Sequence, residues 1–284
     1  MSRHPDVSPL SELIRRLDQV SDGVLTPATV PTGFPSADKL LGGGLRRGDL
    51  VVLGGDVGSG KSAFALAIAL RVAQDGRATA FLSGEMTADR VLERAIAIEG
   101  RTRVDDIRSG ALDESTRASV GAAAVRLRDG SPLLLALPVG GVDAVADEVR
   151  RALDSELVVL DPLQALATGQ RSQDEELATA VRDLKRLAME LDVALLVTAH
   201  LPGLSHDRDD ARPRLDDFGA LGAVKQHADV VLSIYREEMY SPGHGVEGAT
   251  ELHALKNRGG PMGYVDLYFY KQWMRFEDML DPDR

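Results

Sequence analysis

Residues 50–62 read LVVLGGDVGSGKS, and residues 63–70 continue as AFALAIAL. An apolar run meets a turn of the form G-x-x-x-x-G-K-S and then a helical run, and nothing else in the chain constrains the fold as tightly. The glycines let backbone N–H groups turn inward and cradle an anion. A helix starting at Lys61 adds its positive end. This is a phosphate-binding P-loop in the context it requires. It predicts a nucleotide site made of Gly55, Asp56, Val57, Gly58, Ser59, Gly60, Lys61 and Ser62. Lys61 would reach the β- and γ-phosphates of ATP, and the Ser62 hydroxyl would bind Mg2+. A glycine-rich surface turn is the bland alternative, disfavoured by the strand before it and the helix after it.

The rest of the pattern alternates. Apolar runs predict strands at 50–53, 79–82, 133–136, 157–160, 193–197, 230–234, 250–255 and 264–268. Helical spacing predicts helices at 61–74, 88–97, 115–127, 142–153 and 174–191. Several central strands are apolar throughout, as when helices cover both faces of a sheet. The alternation implies an α/β fold with a mostly parallel, twisted sheet and right-handed crossovers. The last two strands lack a helix between them and predict an antiparallel hairpin at one edge.

The first thirty residues differ. Ser8 suits a helix N-cap, and Pro9 suits the first helical position. Leu10, Leu13, Ile14, Leu17 and Val20 form one stripe at helical spacing. Residues 21–32 then read as a linker, with Gly23, Pro27 and Pro31. A short helix on a tether cannot bury its stripe alone, so it must dock on its own core or on a neighbour. The expected organisation is a linker helix and tether at 1–30 and one catalytic domain at 31–284.

There is no cysteine, which excludes disulfides and thiolate zinc sites and fits a cytoplasmic protein. No apolar stretch is long enough to cross a bilayer, and no signal-peptide core follows the N-terminus. No membrane role is expected. The net charge of −11 argues against non-specific coating of DNA but permits a locally basic groove.

A P-loop enzyme needs a second anchor for its metal, and LVVLD at 157–161 supplies one. A carboxylate ending an apolar strand lies at the sheet edge where ligands bind. Asp161 would hold Mg2+ through its water shell; a helix-capping aspartate is the alternative. Glu85, just past the strand at 79–82, reaches the same edge and could position the attacking water, or it is a surface glutamate opening the next helix. His200, past the strand at 193–197, could sense the γ-phosphate or be structural. Lys256 and Arg258 follow an apolar strand and precede a turn. Taken alone they read as a solvated hairpin tip.

Together these segments resemble the RecA-like motor domain of the replicative DNA helicase family, the DnaB type, over about 31–278. The resemblance rests on FLSGEM at 81–86, LDPLQ at 160–164, QHADVVLSIYREE at 226–238, KNRGGPMG at 256–263 and RFED at 275–278. It implies a RecA-like P-loop NTPase core. It also implies a homo-oligomeric, hexameric ring with nucleotide at each subunit interface, and an ATP-hydrolysing helicase that moves 5′→3′ on single-stranded DNA. Glu85 becomes the catalytic glutamate. Lys256 and Arg258 become trans-acting cations that stabilise the transferring phosphoryl group. The stripe from Leu10 to Val20 becomes a linker helix that packs on the next subunit.

Three departures qualify it. The family's helical N-terminal domain has no counterpart in these residues. Gly219 and Ala220 stand where its DNA-contacting loop offers an arginine and a glutamate. That leaves the backbone at Gly219, Ala220 and Gly222, with Arg214 nearby, as DNA contacts, weaker and less salt-dependent. His200 stands where glutamine is usual. The charged loop at 201–225 reads as either DNA-facing or a mobile surface. Two other readings stay open. One is a RadA- or KaiC-like ATPase, although RadA's cysteine zinc motif is lacking. The other is a non-translocating, ATP-dependent assembly partner of the replication machinery.

Overall fold

The computed structural model describes residues 8–24, 28–130, 132–138, 140–152, 154–202, 208–241, 243 and 246–279. Its strands are β1 (Thr29–Val30), β2 (Leu45–Arg46), β3 (Leu50–Gly55), β4 (Thr79–Ser83), β5 (Leu133–Ala136), β6 (Leu157–Asp161), β7 (Ala194–His200), β8 (Val230–Tyr235), β9 (Ala249–Asn257), β10 (Gly263–Tyr270) and β11 (Arg275–Asp278). The helices are α1 (Pro9–Ser21), α2 (Pro35–Leu40), α3 (Lys61–Gln74), α4 (Ala88–Gly100), α5 (Val104–Ser109), α6 (Glu114–Asp129), α7 (Gly141–Arg151), α8 (Gln173–Leu191) and α9 (Ala223–His227).

One nine-stranded sheet runs in the order β11-β10-β9-β8-β3-β7-β6-β4-β5. The six strands from β8 to β5 are parallel. Strands β9, β10 and β11 continue it antiparallel. The expected hairpin is therefore β9-β10, but the sheet edge beyond it is β11. That strand is only four residues long and turns back through Met274 in the left-handed region.

The central strands are buried along their length because both faces are covered. Alternate side chains feed two cores. Val51 and Leu53 pack with α3, whereas Leu50 and Val52 pack with α7 and α8. Helix α3 carries 11 buried residues and lies across the middle of the sheet. Phe34, Phe64, Phe276 and Phe269 form a chain of rings at its start, with successive ring centroids 4.9, 5.1 and 4.4 Å apart.

The predicted elements are all present, with shifted ends. Helix α4 runs on to Gly100 and stops where Arg101 turns left-handed. Ser8 stands at the N-cap of α1, but its side chain makes no capping bond. Leu10, Leu13, Ile14 and Leu17 are at least half exposed, so the α1 stripe is uncovered within one chain. No helix among the described residues is long and apolar enough to cross a membrane.

The 201–225 segment is more ordered than its composition suggested. It holds 3-10 turns at Leu215–Phe218 and Ala220–Gly222 and the start of α9; residues 203–207 lie outside the described residues. Ion pairs stitch it down: Arg208 to Asp217 at 2.8 Å, Lys225 to Asp216 at 3.0 Å and Arg212 to Glu251 of β9 at 2.6 Å.

Candidate functional site

The parallel strands deliver their C-terminal ends to one edge. There Gly55 stands in register with His200, and Ser83 with Asp161. The P-loop leaves β3 and turns into α3 through Gly60, whose φ of 103° is left-handed. A Cβ at Gly60 would stand 2.9 Å from the Phe276 ring, so glycine is needed for space as well as for φ. The end of β8 braces the loop. Arg236 Nη1 donates to Gly58 O at 3.2 Å, and the Tyr240 hydroxyl donates to Asp56 Oδ2 at 3.3 Å.

Lys61 is buried, and its Nζ donates to Asp56 O at 2.8 Å. Burial pushes its ammonium down, against the pull of Asp161, Asp56 and Glu85. Asp161 is 1% exposed. The Ser62 hydroxyl donates to its Oδ1 at 2.9 Å, and the Thr198 hydroxyl donates to the same oxygen. Asp161 Oδ2 is buried with no hydrogen-bond partner. The residue caps no helix: a cis Asp161–Pro162 bond and a 3-10 turn at Leu163–Leu166 follow it.

The predicted Glu85 and His200 come together at this edge. Nε2 of His200 lies 3.8 Å from Glu85 Oε1, both side chains being well exposed. Gln164 fixes the His200 backbone from both sides, donating to its carbonyl at 3.2 Å and accepting from its N–H at 3.1 Å.

Lys256 and Arg258 do not join this group. Strand β9 runs antiparallel to β8, and Lys256 pairs with Val231, near the start of β8. Val230 is in turn beside Val51, at the start of β3. The two cations therefore stand at the opposite edge of the sheet, a strand length of roughly 15 Å or more from their own P-loop. At that edge Arg258 pairs with Asp229 at 2.9 Å. Lys256 Nζ donates to the carbonyls of Ala228 and Lys225 at 2.5 and 2.8 Å.

The segment proposed for DNA has partly committed its backbone. Ala220 N–H donates to Asp174 Oδ1 at 3.0 Å, Gly222 N–H to Gly219 O at 3.0 Å and Arg214 N–H to Asp217 Oδ2 at 2.7 Å. The Arg214 side chain is exposed.

Sequence reasoning missed three residues here. Thr198 reaches Asp161 only because β7 lies between β3 and β6, an order no local pattern reveals. Gln164 needs the 3-10 turn after Asp161 to face β7. Arg94, on α4, is half-buried and has no ion pair or hydrogen bond among the described residues. Burial pushes its guanidinium down, against the attraction of Asp161 and Glu85.

A P-loop after a central strand, with a buried aspartate two strands away, defines a RecA-like nucleoside-triphosphatase fold. The comparisons name the family. Residues 29–278 match the model of the DnaB-like helicase C terminal domain, and the chain belongs to that family. It is similar to replicative DNA helicase DnaB of Geobacillus stearothermophilus, 30% identical over 265 residues, covering 91% of this chain and 58% of that protein. Replicative DNA helicase DnaC of Bacillus subtilis is also 30% identical, over 88% of this chain and 56% of that one. The chain thus spans somewhat over half the length of these relatives. A solved DnaB-like replicative helicase, described with its primase interactions, shares the fold at a TM-score of 0.85 and 24% identity. It covers 99% of this chain and 69% of its own. A KaiC-like protein from Pyrococcus horikoshii fits less well, at 0.62 and 17%, over 88% of this chain and 99% of its own.

Proposed function

We propose that this chain is an ATP-hydrolysing motor domain that assembles as a homo-oligomeric, hexameric ring and moves on single-stranded DNA. One observation carries the reading. Phosphate-binding residues stand at one edge of the sheet and Lys256 with Arg258 at the other, so a site using both must draw them from two copies. The exposed α1 stripe supports the same reading: residues 1–30 act as a linker helix and tether for the next subunit, beside a catalytic domain at 31–284.

Within each site Lys61 exchanges the Asp56 carbonyl for phosphate oxygens. The donor set fits a magnesium ion: the Ser62 hydroxyl, the carboxylate of Asp161 and its unpartnered Oδ2. Such an ion, when bound, neutralises charge on the β- and γ-phosphates. Glu85 accepts a hydrogen bond from the attacking water and orients it in line. His200 senses the γ-phosphate. Lys256 and Arg258 of the neighbour stabilise the charge that spreads over the transferring group.

DNA contact falls to the Gly219–Ala220–Gly222 backbone and Arg214, a weak set because two uncharged residues replace charged ones and one N–H is held by Asp174. Movement is expected 5′→3′, in the cytoplasm. That weak set also favours a second reading, a ring that assembles with nucleotide but does not translocate. ATPase assays with and without single-stranded DNA separate the two, with mass photometry reporting assembly. The motor reading expects DNA-stimulated turnover that Glu85→Gln abolishes, and hexamers with ATP. Assembly without either effect supports the second reading, and particles that stay monomeric in every condition contradict both.

A further inference from the structure

The far edge of the sheet holds a buried carboxylate, Asp229, that the mechanism above does not use. Asp229 lies between α9 and β8 with its side chain 2% exposed. Its Oδ2 accepts the N–H of Leu50, the first residue of β3, at 2.9 Å. The same oxygen is 2.7 Å from Lys185 Nζ of α8. A buried N–H and a partly buried ammonium thus fix that half of the carboxylate. The other half, Oδ1, stands 2.9 Å from Nη1 of Arg258. The Arg258 N–H also donates to the Asp229 carbonyl at 2.9 Å. One aspartate holds Arg258 by its main chain and by its side chain.

Arg258 itself is 59% exposed. Its Nε and Nη2 have no partner among the described residues. A guanidinium is a planar fork of five donors. The ion pair at Nη1 restrains the group while the side chain stays 59% exposed. A free arginine would lose much rotamer freedom on meeting a phosphate; one already held has lost it beforehand. The neighbouring Lys256 is treated alike, held by the carbonyls of Ala228 and Lys225.

We propose that Asp229 is a positioning residue for Arg258, aiming its guanidinium at the nucleotide of the adjoining copy. This rests on the reading of Arg258 as a trans-acting cation. The role differs from simple fold support in a measurable way. Loss of aim lowers kcat, because the contact matters most in the transition state, and leaves nucleotide binding at the P-loop of the same copy alone.

The test is steady-state ATPase kinetics on oligomers confirmed by mass photometry. Asp229→Asn should keep KM within about twofold and lower kcat by about 10- to 100-fold, the cost of a small misplacement. Adding it to Arg258→Ala should cause no further loss, since both changes act through one group. Wild-type kcat in Asp229→Asn while Arg258→Ala keeps only residual turnover overturns the positioning role alone. A further loss in the double variant, equal to that of Asp229→Asn alone, also overturns it. Wild-type turnover in Arg258→Ala overturns the trans-cation reading and this inference with it. If the asparagine variant does not assemble, Asp229→Glu carries the test: it keeps the charge and shifts the carboxylate by one methylene. The same fall in kcat is expected, and an unchanged kcat refutes the role.

Discussion

Replacing Asp161 with asparagine separates a binding carboxylate from a structural one. The native carboxylate is 1% exposed, and its Oδ2 has no hydrogen-bond partner. Leaving a buried charged oxygen unsatisfied costs about 1–3 kcal/mol or more. Asparagine removes the charge but keeps an Oδ1 that can accept from Ser62 and Thr198. Against that relief stands the lost attraction to Lys61. Asparagine also leaves an amide NH2 where the unpartnered Oδ2 stood, so the ligand-free variant should stay within about 1 kcal/mol of wild type in either direction, which is roughly 4 °C or less in Tm. Saturating the wild type with magnesium and a non-hydrolysable ATP analogue at about a hundred times Kd adds about 2.7 kcal/mol. That is a rise on the order of 5–10 °C. The variant should lose at least half of that rise. Differential scanning fluorimetry reads both quantities. A fall of several degrees without ligand, with the nucleotide shift intact, would show that Asp161 serves the fold and not the site.

Other outcomes follow from particular contacts. Phe276→Ala removes a fully buried ring packed on Phe64, Phe269 and the P-loop glycine, and should cost about 3–5 kcal/mol in denaturant unfolding. A cost under about 1 kcal/mol would refute the packing argument. Arg94, half-buried on α4, feels the attraction of Asp161 and Glu85 against the repulsion of Arg108 and Arg90; if it serves the proposed site, Arg94→Gln should lower kcat by about 10- to 100-fold without changing oligomer size, and unchanged kcat removes it from the site. Glu176 accepts the N–H groups of Arg171, Gly169, Thr168 and Gln170, which hold its carboxyl down at about 2. Its charged form therefore contributes stability that is complete above about pH 4.5 and is lost as pH falls through about 2. The stability gap between wild type and Glu176→Gln should close over that window, and a gap that widens toward low pH would be inconsistent with the assignment.

What could be read in advance was what lies close together along the chain. The P-loop, the LVVLD strand and the alternating elements are short-range patterns, and each appears where its residues put it. Short pieces escaped. Residues 104–109 and 35–40 give too few turns for helical spacing to register, and four residues of β11 give too little alternation. The larger gap concerns relations between elements. Thr198 reaches Asp161 through strand order, which hydrophobicity does not encode. The distance between Lys256 and the P-loop depends on β9 running antiparallel to β8. A sequence reading that sees two cations before a turn cannot say which edge of the sheet that turn occupies. The Asp229 contacts with Leu50, Lys185 and Arg258 bring together residues up to about two hundred positions apart, and only the fold joins them.

The central claim is that each hydrolysis site borrows its cations from a second copy. Mixing two crippled variants tests it directly. Lys61→Ala should lack a working P-loop and Arg258→Ala a working donor, so each alone should keep only a residual turnover far below wild type. In randomly mixed rings, a quarter of the interfaces join an intact P-loop to an intact cation, so ATPase activity should return to as much as about a quarter of wild type. Confirmed mixed oligomers that remain at that residual turnover, or Arg258→Ala that hydrolyses ATP normally by itself, would contradict it.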